Sequence, residues 1–104
     1  MGKAQFKIEL MPVAESEINA LRVYEHRMIV NAMREQLSFE PETRTRHRKK
    51  LGAAAAGFAY RPPLWELRVG AYRVLYDVDR SVMEVNVRAV RHKPPGKTTE
   101  EVLR

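Results

Sequence analysis

Apolar and polar residues alternate along 3–11, KAQFKIELM, with Phe6, Ile8 and Leu10 on one face and Lys7 and Glu9 on the other. A period of two predicts a half-buried strand, which Pro12 ends. Beyond it the period changes. Val13 to Glu40 contains no Gly or Pro, and Ile18, Leu21, then Met28 or Ile29, Ala32, Met33 and Leu37 recur at helical spacing. The apolar phase shifts around Val23–Arg27, so the stretch reads as two helices, roughly 14–24 and 26–38. They form a helical hairpin, closed by Pro41.

Residues 64–92 return to period two and predict three antiparallel strands. Trp65, Leu67 and Val69 share a face opposite Leu64, Glu66 and Arg68. Tyr72, Val74, Tyr76 and Val78 oppose Arg73, Leu75 and Asp77, and Met83, Val85, Val87 and Ala89 oppose Glu84, Asn86, Arg88, Val90 and His92. One apolar face per strand predicts a sheet covered on one side, by the helices. Gly70-Ala71 fits a two-residue type II′ loop. It pairs Val69 with Tyr72, Arg68 with Arg73 and Leu67 with Val74. Taking Arg80-Ser81 as the next loop pairs Val78 with Met83, Val74 with Val87 and Arg73 with Arg88.

In that register Arg68, Arg73 and Arg88 lie side by side on the face away from the helices, with His92 on the same face. Opposed like charges cost about a few tenths of a kcal/mol per pair. Folding does not ask for such a row, whereas an anionic ligand does. The alternative is three solvated arginines held apart by Glu66, Asp77 and Glu84. The same register sets Asp77 against Glu84, an unfavourable pair.

Between helices and hairpin lies TRTRHRKKL, residues 43–51. It reads either as a solvated loop or charged edge strand, or as an arm whose Arg44, Arg46, Arg48, Lys49 and Lys50 contact phosphates. Gly52, four alanines, Gly57 and Pro62-Pro63 then make a weakly structured connection. In the tail, HKPPGKTTEEVLR, Thr98 and Glu101 form a capping box that predicts a short C-terminal helix.

The 104 residues suit one α+β domain spanning 1–104. A net charge of +6 prepares it for nucleic acid, an anionic surface or an acidic protein. The chain has no cysteine, hence no disulfide or thiolate chemistry, which fits the cytoplasm. The N-terminus shows no signal-type apolar region and no myristoylation pattern at Met1-Gly2, and no stretch approaches membrane-spanning length. No membrane partner is expected. No His, Cys, Asp and Glu grouping has metal-ligand spacing and no Gly-rich phosphate loop is present, so neither metal nor cofactor is expected.

The order of strand, helical hairpin, basic stretch and three antiparallel strands, with LWELRVGAYRVLYDVD followed by VNVRAVRHK, resembles the RelE/ParE toxins of bacterial type II toxin–antitoxin systems. The hairpin is the most specific part, and the resemblance covers roughly 3–103. It implies a RelE-like fold with the helices on one face of the sheet. It further implies a small basic endoribonuclease that cuts mRNA on the ribosome without a metal and so inhibits translation. In that reading Arg73, the arginine of the "YR" motif, stabilises the scissile phosphate, and His92-Lys93 is the basic pair ending the last strand. This chain departs from the best-known type. The two strand lysines fall on Leu64 and Glu66, and the C-terminal tyrosine has no counterpart after Lys93.

Cleavage by the RNA's own 2′-hydroxyl needs a base, charge stabilisation at phosphorus and an acid. Arg73 with Arg68 or Arg88 meets the second need. His92 and Glu66 are the candidates for proton transfer, His92 because it titrates near neutrality. Glu66 also reads as a salt-bridge partner of Arg68. His47 is a further candidate in the basic stretch, and His26, mid-helix, reads as structural or exposed. The resemblance implies a cognate antitoxin, the ribosome and mRNA as partners, and operator DNA only through the antitoxin complex. The alternatives are ParE-like inhibition of DNA gyrase, or a catalytically weak member that mainly binds its antitoxin.

Overall fold

The computed structural model describes residues 4–104. Lys3, the first residue of the predicted N-terminal strand, and Met1-Gly2 lie outside the described residues. Alternation at Phe6, Ile8 and Leu10 yields β1 (Lys7–Leu10). Pro12 ends the strand and opens α1 (Pro12–Asn19), since proline's fixed φ and missing donor suit a first helical position. The second helix, α2, spans Val23–Leu37. The break between them falls at 20–22, ahead of the expected phase shift, and α1 starts two residues earlier than expected.

Four strands follow: β2 (Arg48–Gly52), β3 (Leu64–Val69), β4 (Tyr72–Asp79) and β5 (Glu84–His92). They form one five-stranded sheet ordered β1-β5-β4-β3-β2. β1 runs parallel to β5, and every other neighbouring pair is antiparallel. The basic stretch therefore supplies an edge strand, and the meander has four strands rather than three.

The first turn is as expected: Val69 pairs with Tyr72, Arg68 with Arg73 and Leu67 with Val74. Gly70 takes φ +56°, which a type II′ loop requires of its first residue. The second turn is longer than expected. Asp79 Oδ1 accepts from Ser81 N at 3.0 Å and Ser81 Oγ at 2.5 Å, an Asx-type turn. Asp79 then pairs with Glu84 around a four-residue loop in which Met83 takes φ +55°.

A β-bulge follows, where Tyr76 pairs with Val87 but Leu75 with Ala89, leaving Arg88 as the extra residue. The bulge reverses the phase of β5. Ala89 and Arg91 turn to the face expected to hold Arg88, and Val90 and His92 turn to the other. Arg73 accordingly pairs with Arg91, not Arg88, and Val74 with Val90. Asp77 faces Asn86, so its expected clash with Glu84 does not occur.

Both faces of the sheet are covered, which corrects the one-sided expectation. On one side α1 packs on β5 and α2 on β3 and β1, burying Ile18, Ile29, Met33 and Leu37 against Leu67, Val74, Tyr76, Val85 and Val87. On the other, Leu64, Leu75 and Ala89 meet α3 (Thr99–Leu103) through Val102 and Leu103. The alanine-rich connection completes this smaller cluster as a strap, turning Ala54, Ala56, Phe58 and Tyr60 inward. Gly57 N donates to Leu103 O at 2.7 Å, and a Cβ on Gly57 would collide with the Arg104 main chain. Thr98 caps α3 by accepting from Glu101 N at 3.3 Å. No helix of the described residues is long and apolar enough to cross a membrane.

Candidate nucleic-acid interface

The strap side of the sheet gathers the ionisable groups. Register places Arg68, Arg73 and Arg91 in one row across β3, β4 and β5. At the open end of β3, Arg68 N donates to His47 O at 2.8 Å, which extends the row to His47 just before β2. Alternation alone misses Arg91, because it counts through Arg88. The like-charge clash of Asp77 with Glu84 was the available signal that the expected register fails.

The three arginines differ in freedom. Arg68 is exposed, and its guanidinium makes no hydrogen bond or ion pair with another described residue. Arg73 is 7 % exposed. Its Nη1 donates to Gly70 O at 2.8 Å and Tyr72 O at 2.7 Å, folding the side chain back on the turn. Burial lowers the Arg73 pKa, Glu66 opposes that shift, and Arg68 adds to it. Arg91 is held on three sides. Its Nε lies 2.5 Å from Glu17 Oε2, its Nη1 donates to Val102 O and Arg104 O, and its guanidinium lies 5.3 Å from the Phe58 ring centroid.

Glu66 sits beside Arg73 and is 4 % exposed. Its Oε1 lies 3.9 Å from Arg73 Nε, too far for a hydrogen bond. Among the described residues neither Arg73 Nε nor Glu66 Oε2 has a hydrogen-bond partner. The expected partnership of Glu66 with Arg68 is therefore replaced by a loose pairing with Arg73.

The remaining candidates separate. Arg88 leaves the row and binds Asp77, with Nε to Oδ2 at 2.7 Å. His92 pairs with Tyr72 and lies 5.2 Å from its ring. Since Tyr72 packs on the helix-side core, His92 is on the opposite face from Arg73, contrary to expectation. Lys93 is half-buried, and its N–H donates to Ala71 O at 2.6 Å.

In the basic stretch, Arg48 is buried and donates through Nη1 to Gln36 O at 2.5 Å and Phe39 O at 3.4 Å. It caps the C-terminal end of α2, where cations are favoured, and leaves the phosphate-contacting set. Arg44, Arg46, Lys49 and Lys50 remain exposed. Lys49 pairs with Glu66 and so lies on the strap face, while Lys50, pairing with Trp65, lies on the other. Among the described residues no three His, Cys, Asp or Glu side chains gather as a metal site would need.

Solved structures share this architecture. The chain superposes with TM-score 0.70 on a chain of the RelBE2 toxin–antitoxin complex of Mycobacterium tuberculosis, at 24% identity, covering 88% of this chain and 95% of that one. It superposes with TM-score 0.66 on a chain of the archaeal RelE–RelB complex of Pyrococcus horikoshii OT3, at 21% identity, covering 90% of this chain and 99% of that one. No protein-family model matches the chain, and no curated protein does. The chain is α+β, with a five-stranded mixed sheet and three helices, and it shares the RelE-like fold of these solved chains.

Proposed function

We propose that the protein is the toxin of a type II toxin–antitoxin pair and acts in the bacterial cytoplasm as a metal-independent, ribosome-dependent mRNA endoribonuclease. The observation that carries this reading is the row Arg68–Arg73–Arg91 on a RelE-like scaffold. Three guanidinium groups across adjacent strands match a phosphodiester and the charge that develops on it during cleavage. Arg68 makes the first contact because it is free, and Arg73 leaves the Gly70 and Tyr72 carbonyls to join it. Glu66, next to Arg73 Nε, takes the 2′-hydroxyl proton, and His47, across from Arg68, protonates the leaving oxygen. The exposed Arg44, Arg46 and Lys49 add phosphate contacts. The two solved neighbours above come from a toxin–antitoxin complex and a RelE–RelB complex, which supports a cognate antitoxin for this chain. In this reading operator DNA is contacted only through the antitoxin complex.

One observation favours a second reading. His92 faces away from the row and Arg91 is already engaged by Glu17 and α3. A toxin with so few free catalytic groups fits inhibition of DNA gyrase by binding. Purified protein added to ribosomes carrying a defined mRNA separates the two. The first reading expects cuts in ribosome-bound mRNA that are absent without ribosomes and lost in Arg68→Ala. Intact mRNA together with blocked gyrase supercoiling supports the second.

A further inference from the structure

β1 accompanies β5 only as far as Val87, whose carbonyl accepts from Met11 N at 2.9 Å. Pro12 then turns the chain into α1, so beyond Val87 the outer edge of β5 has no strand beside it among the described residues. Glu17, on α1, reaches that edge. Its Oε1 accepts from Val90 N at 3.0 Å, and its Oε2 lies 2.5 Å from Arg91 Nε. One carboxylate therefore joins the β5 main chain to the last arginine of the row. The first contact fixes where the second oxygen stands.

The two contacts differ in kind. Val90 N–H makes a directed hydrogen bond. Arg91 Nε–H aligns with no acceptor among the described residues, so Glu17 holds the guanidinium by charge. The pair is partly buried, with 20% of the Arg91 side chain and 27% of the Glu17 side chain exposed, so salt screens it less than an open surface pair. Arg91 Nη1 donates to Val102 O at 3.1 Å and to Arg104 O at 2.7 Å. Nη2 keeps both its donors, with no partner among the described residues. Arg91 can thus meet an anion through Nη2 without giving up a contact, whereas Arg73 must first leave Gly70 and Tyr72.

We propose that Glu17 is a positioning residue, which holds the Arg91 guanidinium so that Nη2 meets the phosphodiester on the row. The inference rests on the RNA reading above. It makes the engagement of Arg91 a form of preorganisation: donors fixed before the substrate arrives need no rearrangement when charge develops on the phosphate. The Glu17 carboxylate itself repels an anion. Its benefit therefore falls on turnover and not on affinity.

The test is a double-mutant cycle in cleavage of a defined mRNA on ribosomes, with kcat and KM measured for wild type, Glu17→Gln, Arg91→Lys and the double variant. Glu17→Gln keeps the side-chain length and an acceptor for Val90 N but removes the charge beside Arg91. It should lower kcat about tenfold or more and leave KM unchanged or lower. Arg91→Lys replaces the planar guanidinium with a single ammonium and should lower kcat at least as far. Adding Glu17→Gln to Arg91→Lys should then change kcat by less than about twofold, because no guanidinium remains to be held. Urea unfolding of each variant checks that the fold persists. A kcat unchanged or raised in Glu17→Gln, a rise in KM alone, or losses that add in the double variant each overturn the positioning role. Loss of the fold in Glu17→Gln makes the residue structural and overturns it too. With cleavage by wild type, these results remove this inference alone. Wild type that leaves ribosome-bound mRNA intact removes the nuclease reading and the role of Glu17 with it.

Discussion

The two faces of the sheet are built differently. On the helix side Ile18, Ile29, Leu37, Leu67, Val74, Val85 and Val87 are fully buried beside the aromatic Phe6, Trp65 and Tyr76, and Arg48 is the buried charge there. On the strap side five buried apolar residues share the surface with Glu66, Arg73 and Asp77, all under 8 % exposed. Even these charges fall into two kinds. Asp77 accepts from Arg61 N at 2.8 Å, Asn86 Nδ2 at 3.1 Å and Arg88 Nε at 2.7 Å, so its buried charge is compensated. Glu66 has only a distant Arg73 and one oxygen without a partner. Asp77 ties the strap to the sheet, whereas Glu66 and Arg73 hold unmet hydrogen-bonding capacity on the face with the arginine row. The helix side stores stability, and the strap side stores charge.

The sharpest way to break this division is Asp77→Ala. It strands Arg88 and Asn86 and releases Arg61 N, and should cost about 3–5 kcal/mol in urea unfolding. A loss under about 1 kcal/mol would show the hub to be ornamental. Leu37→Ala and Leu103→Ala compare the two cores directly. The first should cost about 3–5 kcal/mol, the second about 2 or less, because a five-residue helix can shift to fill the space. Equal costs would mean that the strap side is as integral as the helix side.

Much of this was legible in the sequence, and the rest was hidden for two reasons. The β3–β4 hairpin followed from Gly70 and from apolar residues matched across it, and Thr98 caps α3 as expected by accepting from Glu101 N. The β4–β5 register was not legible, because Asp79 captures Ser81 and Arg88 bulges toward Asp77. Both are side-chain choices that alternation does not encode. Together they exchange Arg88 for Arg91 in the row and carry His92 to the far face. The strap escaped notice because alanine in alternate positions carries too weak a hydrophobic signal, although Ala54, Ala56, Phe58 and Tyr60 do alternate inward.

Smaller effects sharpen the contrast between the two buried carboxylates. Glu66→Gln removes a partner 3.9 Å away and should cost less than half of what Asp77→Asn costs, by urea unfolding, while impairing cleavage. A larger cost would make Glu66 a structural ion-pair member like Asp77. The smallest effect concerns Asp79, whose carboxyl is held below the ordinary range by the Ser81 hydroxyl and then the Arg61 guanidinium. A depressed folded pKa contributes stability that is complete above the unfolded value, near about 4, and is lost as pH falls through the folded one. Asp79→Asn should therefore flatten the fall of Tm between about pH 5 and about pH 3, and an unchanged slope contradicts that coupling.

The central claim is that the strap-side arginines face RNA. Arg68 tests it best, because it is exposed and its removal spares the buried Glu66–Arg73 neighbourhood. The measurement is primer extension on mRNA from cells induced for wild type or Arg68→Ala, with labelled methionine and thymidine incorporation followed in the same cultures. The account predicts that wild type halts methionine incorporation first and creates new mRNA 5′ ends that Arg68→Ala abolishes. If thymidine incorporation stops first, or the same 5′ ends persist in Arg68→Ala, the arginine row does not serve RNA cleavage.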